Sequence, residues 1–236
     1  MRFGVPTRIE KPRGFTMVNG MIFLVWMVLG LTLVTITYKL FGVKGMVAVI
    51  AGNVVIMNIL VNKGVVLFGL GATAGNVLYG MIFLSTDILT EWHGGKEARK
   101  AVLCGFVAGL IAFFASMAAL AMEPAPWDYG HEALAVLTSP MWRILLGSWA
   151  AYLISQVFDT HAYEWYKGKG LPIWVRNNGS TMVSQFLDTA IFCSIGLLGL
   201  MPFVDWVQVL ISTYVLKVVV AGIDSPFMYL VKHMKK

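Results

Sequence analysis

The sequence predicts an all-α protein of the membrane, a bundle of helices that crosses the bilayer several times. Apolar residues make up 58% of the 236 positions, charged residues only 13%, and the mean hydropathy is +0.76. Soluble domains carry about a quarter charged residues, whereas several apolar runs here reach the roughly 20 residues that a helix needs to span the hydrocarbon core. This composition leaves no room for a separate soluble domain.

Seven apolar segments follow one another along the chain. The first is too long for a cleaved signal sequence and shows no small-residue cleavage pattern, so we expect it to be retained as a helix. We divide the chain into a basic tail at 1–16, an additional N-terminal helix at 17–40, a six-helix core at 41–231 and a basic tail at 232–236. The segments themselves lie at 17–38, 45–61, 73–91, 99–122, 141–163, 181–200 and 203–231.

A glycine-rich stretch, GVVLFGLGATAG at 64–75, separates the second and third segments. It interrupts the helical period and predicts a short re-entrant or extended piece. Such a backbone is tolerated at membrane depth only where protein or water covers it.

Lysine and arginine are unevenly distributed between alternate connections, which predicts the orientation. If the loops near 39–44, 92–100 and 164–179 face the cytoplasm, the C-terminus lies on the same side. That side then collects Lys39, Lys44, Lys96, Arg99, Lys100, Lys167, Lys169, Arg176, Lys232, Lys235 and Lys236. Seven spans would place the basic N-terminus outside, against the usual bias, so whether segment 17–38 spans fully stays open.

Acidic residues inside the apolar segments are the first candidates for function, because each costs about 2.5 to 3.5 kcal/mol at the bilayer centre on insertion scales. In the third segment, Asn76, Gly80, Phe83, Asp87 and Glu91 recur at steps of three and four and share one helix face. The alternative is that Glu91, with or without Asp87, lies at the membrane interface and pairs with a nearby basic residue, Lys96 or Arg99.

A short repeat links the fifth and sixth segments. The motif SQVFDT at 155–160 returns as SQFLDT at 184–189, so that Gln156 and Asp159 are echoed by Gln185 and Asp188. Each Gln and Asp are one helical turn apart and project from the same face. Bonds between helices explain the serines and threonines, but an ionised carboxylate is a costly way to join helices. We therefore predict a ligand-facing role for Asp188, and less firmly for Asp159, which lies nearer the interface.

The last segment contains Lys217 well inside apolar sequence, on a face with Tyr214, Ala221 and Asp224. A buried ammonium group needs a counter-ion, which can be Asp188, Asp159 or Asp224. The alternative to a role in binding is an internal ion pair that only neutralises a carboxylate.

Other classes of protein fit less well. The two cysteines, Cys104 and Cys193, lie in different segments and predict neither a disulfide framework nor a metal site. The basic residues are scattered between segments, which argues against nucleic-acid binding, and no P-loop is present. An enzyme is not expected, and neither is a cofactor; an intramembrane aspartyl enzyme would need two carboxyls sharing a proton. In the fourth segment, Gly105 and Gly109 continue a small-residue face that predicts close helix packing.

Three stretches together resemble the queuosine precursor transporter family, also called vitamin uptake transporter-like. They are FLSTDILTEWHGGKEARK from Phe83, SQVFDTHAYEW from Ser155 and WVRNNGSTMVSQFLDT from Trp174, in the family's order. The resemblance covers about residues 50–231, and the RNNxST and SQxxDT block is its specific part. The additional helix at 17–38 departs from the family pattern.

The resemblance implies a core similar to the substrate-binding components of energy-coupling factor transporters, in the cytoplasmic (inner) membrane. It implies import of a 7-deazaguanine such as 7-cyano-7-deazaguanine or its 7-aminomethyl relative. A membrane scaffold, or a subunit of a larger transport assembly, is the alternative. The positions that match the family's pattern, and so form the expected substrate site, are Asn58, Asp87, Gln156, Asp159, Arg176, Asn178, Ser180, Gln185, Asp188 and Lys217.

Overall fold

The computed structural model describes residues 13–60, 63–68, 70–138, 142–199 and 203–234. Most of the predicted N-terminal tail and the last two residues of the C-terminal tail lie outside these ranges. The elements are α1 (Arg13–Leu60), β1 (Gly64–Leu67), β2 (Leu70–Thr73), α2 (Asn76–His93), α3 (Gly95–Leu120), α4 (His131–Thr138), α5 (Trp142–Gly168), α6 (Ile173–Phe192), a π-helical turn (Cys193–Leu197) and α7 (Phe203–Met234).

The first two predicted segments are the two halves of α1, which is kinked at Gly42. Gly42 has φ 57° and ψ −137°, a conformation in the positive-φ region that glycine adopts without steric cost. The kink lies beside the predicted boundary at residues 40 and 41, between the additional helix and the core.

The glycine-rich stretch forms an antiparallel hairpin, in which Gly64 pairs with Thr73 and Leu67 with Leu70. The expectation of a short extended piece within an all-α chain is confirmed by this hairpin. Asn19 of α1 donates a hydrogen bond to the Val66 carbonyl at 3.3 Å, and α7 packs against β2. These contacts cover only part of the hairpin, since the side chains of Val66 and Phe68 are exposed.

Helix α2 lies at the centre of the bundle. Every residue from Asn76 to Thr90 is buried, and the helix packs against α1, α3, α5 and α7. The hydroxyls of Ser85, Thr86 and Thr90 donate to carbonyls of their own helix, whereas the buried carboxyl group of Asp87 needs donors from the neighbouring helices.

Three helical stretches, Met17–Leu60, Gly95–Leu120 and Val209–Met234, are long and apolar enough to span a membrane. Their outward faces carry exposed large apolar side chains, such as Ile111 and Phe114 on α3, as expected for contact with lipid. Helices α2, α5 and α6 were also predicted as spans but are not among the three. They hold most of the polar residues that the bundle buries, which lowers their hydropathy.

Helix α6 begins earlier than the sequence predicted. The stretch 164–179 was expected to be a loop, but α5 continues to Gly168 and α6 starts at Ile173, directly after Pro172. Proline is favoured at the start of a helix, where a missing N–H costs nothing. Arg176 and Asn178 therefore lie on the first turns of α6.

The predicted small-residue face of α3 is confirmed as a close-packing surface. A Cβ atom placed on Gly105 would lie 2.9 Å from Ile50 of α1 and 2.5 Å from the Tyr152 hydroxyl of α5. At Gly109 the same atom would lie 3.2 Å from Val54. Because Gly105 and Gly109 carry no side chain, α3 can approach α1 and α5 closely.

A similar contact between α2 and α7 predicts a stability effect. A Cβ atom on Gly80 would lie 2.6 Å from Val220 Cγ1 of α7, so Gly80→Ala forces the two helices apart or Val220 to move. We expect a loss of about 1 to 3 kcal/mol of stability, seen as a lower unfolding temperature of the purified protein in detergent. Gly222→Ala is the matched control, since nothing lies within 4 Å of its added Cβ. An equally stable Gly80→Ala variant would contradict this packing.

Candidate functional site

Four helices bring a group of polar side chains together inside the bundle, which we call the carboxyl cluster. Its acidic members are Asp87 of α2, Asp159 of α5, Asp188 of α6 and Asp224 of α7, each with 0% exposure. Lys217 of α7, at 3% exposure, joins them. The burial of four carboxyl groups with one ammonium group requires either strong local pairing or bound protons.

The repeated SQxxDT motifs face each other across the contact between α5 and α6. Ser155 of the first motif donates a hydrogen bond to Asp188 Oδ1 at 3.2 Å. Ser184 of the second motif donates to Asp159 Oδ1 at 2.8 Å. Each serine therefore serves the aspartate of the other motif, and the two helices are joined by a nearly symmetric pair of bonds, as expected for the serines.

Of the three carboxylates considered as counter-ions for Lys217, the structure pairs it with Asp188. Its Nζ atom forms an ion pair with Asp188 Oδ2 and lies 3.9 Å from the centre of the Tyr79 ring. The carboxylate and the aromatic face together compensate the buried ammonium group. The predicted internal ion pair is confirmed, and it neutralises Asp188 in this closed arrangement.

Asp159, the counterpart of Asp188 in the repeat, has another carboxyl group as its neighbour. Asp87 has Asp159 as a neighbour, and Asp224 is near both. Among the described residues, Asp159 Oδ2 and both oxygens of Asp87 have no hydrogen-bond partner. The two halves of the repeat thus differ in charge: one is balanced by Lys217 and the other is acidic.

Asp224 accepts a hydrogen bond from the side-chain amide of Asn177. Asn177 Nδ2 donates to Asp224 Oδ1 at 2.5 Å and to Ser225 Oγ at 3.2 Å. The second oxygen of Asp224 has no such partner. This bond fixes the start of α6 against the last third of α7.

Above the cluster, Glu91 connects the ends of three helices. Arg176 of α6 donates to Glu91 Oε2, and Lys167 of α5 donates to the Glu91 carbonyl and lies 3.9 Å from the same carboxylate. The alternative considered from the sequence, that Glu91 pairs with Lys96 or Arg99, is not what the structure shows. Arg99 instead bonds Glu164 of α5 at 2.8 Å. Tertiary packing brings the ends of the helices together, so Glu91 pairs with residues that are distant in the sequence.

The residues predicted for the site do not all lie together. Asp87, Asp159, Asp188 and Lys217 belong to the carboxyl cluster, and Gln156, Gln185 and Ser180 are buried on the same helices. Within the part of the chain that the structure describes, both amide atoms of Gln156 and the Oε1 atom of Gln185 have no hydrogen-bond partner. Arg176 belongs to the Glu91 network, and Asn178 bonds Ser225 and the Trp174 carbonyl. Asn58 is half-buried on α1, beside Gly109 and Trp149.

Three residues near the cluster were missed by sequence reasoning. Asn177 could have been found by period, because 177, 181, 184 and 188 step by four, three and four along the buried face of α6. Tyr79 and Tyr163 carried no such signal, since tyrosines at helix positions are usually packing residues. Tyr163 is fully buried, and its hydroxyl lacks a partner in ordinary geometry.

The cluster is closed. Two cavities of about 330 Å³ and 430 Å³ lie elsewhere, one on the outer face of α3 and one in the loop before α4. Asp159, Asp188 and Lys217 are almost completely buried between helices, and their role in substrate binding stays a prediction. The case for transport rests on the unpartnered polar groups of the cluster and on similarity to known proteins.

Comparison with known proteins gives that similarity. Residues 73–231 match the family described as "Putative vitamin uptake transporter". A "Probable queuosine precursor transporter" of Bacillus subtilis is 39% identical over 222 residues, which cover 92% of this chain and 96% of that relative.

Two more distant relatives agree with it. The "Queuosine precursor transporter" of Escherichia coli is 27% identical over 57% of this chain and 59% of its own length. A "Probable queuosine precursor transporter" of Haemophilus influenzae is 27% identical over 54% of this chain and 53% of its own. No solved structure matches the chain.

Proposed function

We propose, because this chain belongs to the vitamin uptake transporter family, that it carries a queuosine precursor across the cytoplasmic membrane. The family and the names of the relatives describe transporters, so the protein is a membrane transporter and not an enzyme. The substrate we propose is a 7-deazaguanine, either 7-cyano-7-deazaguanine or 7-aminomethyl-7-deazaguanine. The relatives' names support the precursor class, and the chemistry of the carboxyl cluster supports the base.

The observation that carries this proposal is a set of buried hydrogen-bonding groups without partners. Asp159, Gln156 and Asp87 have oxygen or nitrogen atoms that accept or donate no bond of ordinary geometry. Leaving such groups unmet inside a protein costs about 1 to 3 kcal/mol each. A polar guest that supplied the missing donors and acceptors would recover that free energy.

A guanine-like base offers the matching pattern. Its N1–H and exocyclic amine can be accepted together by one carboxylate, while an amide side chain meets its carbonyl oxygen. Asp159 with Gln156, one turn apart on α5, provides this combination. Asp188 with Gln185 provides the same combination on α6 and stays in the proposed site, but Lys217 must release Asp188 before that carboxylate accepts a base.

Aromatic stacking completes the proposed site. Tyr79 is buried at 8% exposure and already presents its ring to Lys217. A base stacked on such a ring gains roughly 1 to 3 kcal/mol. Trp149, by contrast, packs edge-on against Phe106 and Phe113 of α3, so it serves helix packing.

We further propose a multi-pass arrangement in the inner membrane with the C-terminus in the cytoplasm. The ion pairs of Glu91 with Arg176 and of Arg99 with Glu164 join the ends of α2, α3, α5 and α6. Their proximity supports placing the basic connections at 92–100 and 164–179 on one side of the membrane. Under the positive-inside rule that side is the cytoplasm.

The closed packing of the cluster favours a second candidate, a membrane scaffold or a subunit of a larger transport assembly. A scaffold would use the buried bonds between α5, α6 and α7 only to hold helices together. A six-helix core like that of energy-coupling factor components would fit the subunit version. A binding measurement with a deazaguanine and the isolated chain distinguishes the two functions. A transporter needs a substrate site and should bind the base, whereas a scaffold needs none.

The function is tested by transport in cells that cannot make queuosine precursors and lack a transporter of their own. With the chain expressed and 7-cyano-7-deazaguanine supplied at a low external concentration, we expect queuosine to reappear in tRNA. The Asp128→Asn variant is a suitable control, since Asp128 is exposed and caps only its own loop; it should restore queuosine fully. Absence of queuosine despite normal amounts of protein in the membrane would refute import of this precursor.

A further inference from the structure

Among the described residues, Asp87 is the aspartate of the carboxyl cluster that lacks a partner. The others each pair with Lys217 or accept a hydrogen bond from a serine or an asparagine. Neither oxygen of Asp87 has a hydrogen-bond partner in this part of the chain, although the residue is fully buried. A buried carboxylate needs a cation or several donors, and a neutral acid would still leave polar atoms unmatched. A bound group that supplied charge and donors here would remove that cost.

Two contacts fix the register of α2 against α6. At one end, Arg176 of α6 pairs with Glu91 of α2. At the other end, Lys217 pairs with Asp188 of α6 and lies 3.9 Å from the centre of the Tyr79 ring of α2. The two contacts are separated by the same number of residues on both helices. Helices α2 and α6 therefore run antiparallel in a defined register.

This register sets the level of Asp87 in the bundle. Asp87 lies one helical turn inward from Glu91, and the corresponding step on α6 leads to Ser180. That level lies between Asn177 and Ser184, the two residues of α6 that donate to Asp224 and Asp159. The three aspartates that have no cation among the described residues thus occupy neighbouring levels of the bundle.

A close contact between α2 and α7 sets the direction in which Asp87 points. A Cβ atom on Gly80 would lie 2.6 Å from Val220 Cγ1, so these two positions face each other. Asp87 follows Gly80 by two helical turns on the same face of α2, and Asp224 follows Val220 by one turn on α7. Both helices run toward the start of α6. The carboxyl groups of Asp87 and Asp224 therefore face each other across this contact.

The unpartnered atoms at this place match an ammonium group. Within the described ranges, both oxygens of Asp87 and the Oδ2 atom of Asp224 have no hydrogen-bond partner. The fully buried Thr181 hydroxyl, on the same face of α6 as Asn177, also has none. An ammonium group offers three N–H donors and a positive charge. A metal ion suits the site less well, because no three acidic, histidine or cysteine side chains of the described residues are arranged to hold one.

We propose that Asp87, with Asp224 opposite, forms a subsite for a positively charged substituent, so that the site prefers 7-aminomethyl-7-deazaguanine to its neutral 7-cyano relative. An alkylamine of this kind is protonated at pH 7. The proposal rests on the proposed function, in which Asp159 and Gln156 hold the edge of the base. The level of Asp159 is about one helical turn, roughly 5 Å, from that of Asp87. A base held at Asp159 can therefore direct its substituent toward Asp87.

In the bound state every carboxyl group of the cluster has a partner. Lys217 balances Asp188, and the ammonium group of the substrate balances Asp87. Asp159 keeps the hydrogen bond from its serine and gains the N1–H and amine of the base. Asp224 keeps the hydrogen bond from its asparagine and gains an N–H of the ammonium group. Each buried carboxylate then has a cation or at least two donors, and binding makes or breaks no covalent bond.

Calorimetry with the purified full-length protein at pH 7 tests the subsite. The probes are 7-aminomethyl-7-deazaguanine and 7-hydroxymethyl-7-deazaguanine, which are similar in size and differ in charge. We expect the aminomethyl base to bind roughly ten- to a hundredfold more tightly, the factor expected for hydrogen bonds between charged groups. Equal affinities, or tighter binding of the hydroxymethyl base, would overturn the subsite and leave the function intact. If neither these bases nor 7-cyano-7-deazaguanine bind, the proposed function itself is refuted.

Substitution of Asp87 assigns the preference to this residue. In Asp87→Asn the charge is lost while the size is kept, so the ratio of the two affinities should fall toward one. Asp87→Glu keeps the charge and should keep a preference for the aminomethyl base. Asp128→Asn, in an exposed loop, should show the wild-type ratio. An unchanged ratio in Asp87→Asn would contradict the assignment. If that variant does not fold, the comparison of the two bases on the wild type still decides, because equal affinities overturn the proposal.

Discussion

Replacing Asp159 by asparagine is expected to reduce uptake of a queuosine precursor roughly ten- to a hundredfold. The change removes a charged acceptor for the N1–H and amine of the base, and hydrogen bonds to charged groups contribute about 1.5 to 3 kcal/mol. The side chain keeps its shape, and Ser184, which donates to Asp159 Oδ1 at 2.8 Å, can still donate to the asparagine oxygen. Uptake is measured as queuosine in tRNA at several low external concentrations of the precursor.

The amount of Asp159→Asn protein in the membrane must match the wild type for this comparison. Removing a buried carboxyl that has an acidic neighbour relieves repulsion, so we expect the variant to be at least as stable. Asp128→Asn makes the same chemical change in an exposed loop and should transport normally. Full uptake by Asp159→Asn would remove this residue from the substrate site and favour the scaffold interpretation.

Replacing Lys217 by methionine is expected to have the largest effect on stability. The ammonium group is the counter-ion of Asp188, and both side chains are almost completely buried. Removing one partner of a buried ion pair leaves an uncompensated charge and costs about 3 to 5 kcal/mol. We expect little Lys217→Met protein in the membrane and a clearly lower unfolding temperature in detergent.

A second substitution distinguishes loss of charge balance from loss of packing. In Lys217→Met with Asp188→Asn, both charges are gone, so protein levels and unfolding temperature should recover most of the loss. Lys169→Met is the control, because Lys169 is exposed and only covers the Trp165 ring at 5.5 Å. A double variant as unstable as Lys217→Met would show that the lysine stem, and not the ion pair, holds α7 in place.

The repeated motif allowed the sequence to predict which faces of α5 and α6 meet. It could not predict which aspartate takes the lysine, because Asp159, Asp188 and Asp224 are equivalent by local pattern. That choice depends on how α7 lies across α6 and on where Tyr79 of α2 presents its ring. Likewise, the four-residue spacing of Asp87 and Glu91 predicted that both lie on one face of the helix. It did not predict that Glu91, nearer the end of α2, pairs with Arg176 while Asp87 has no basic partner among the described residues.

The errors have a common physical origin. The alternative considered for Glu91 used partners close in sequence, and the stretch 164–179, which contains the RNN motif, was expected to be a loop. In the fold, α5 and α6 extend to the end of α2, so Lys167 and Arg176 reach Glu91 from helical positions. The partners of helix ends in a bundle are set by tertiary packing, which a single sequence does not display. The hairpin of β1 and β2 was foreseen only as extended backbone, since the pairing of two short strands is not displayed by the local sequence pattern.

The most direct test is binding of 7-cyano-7-deazaguanine to the purified wild type and to Asp159→Asn, read as a shift in unfolding temperature. At a hundredfold excess of base over the dissociation constant, the wild type should gain about 2.7 kcal/mol of stability. Asp159→Asn should need roughly ten to a hundred times more base for the same shift. An equal shift for both proteins at equal base concentration would contradict a substrate site built on the buried carboxyl cluster.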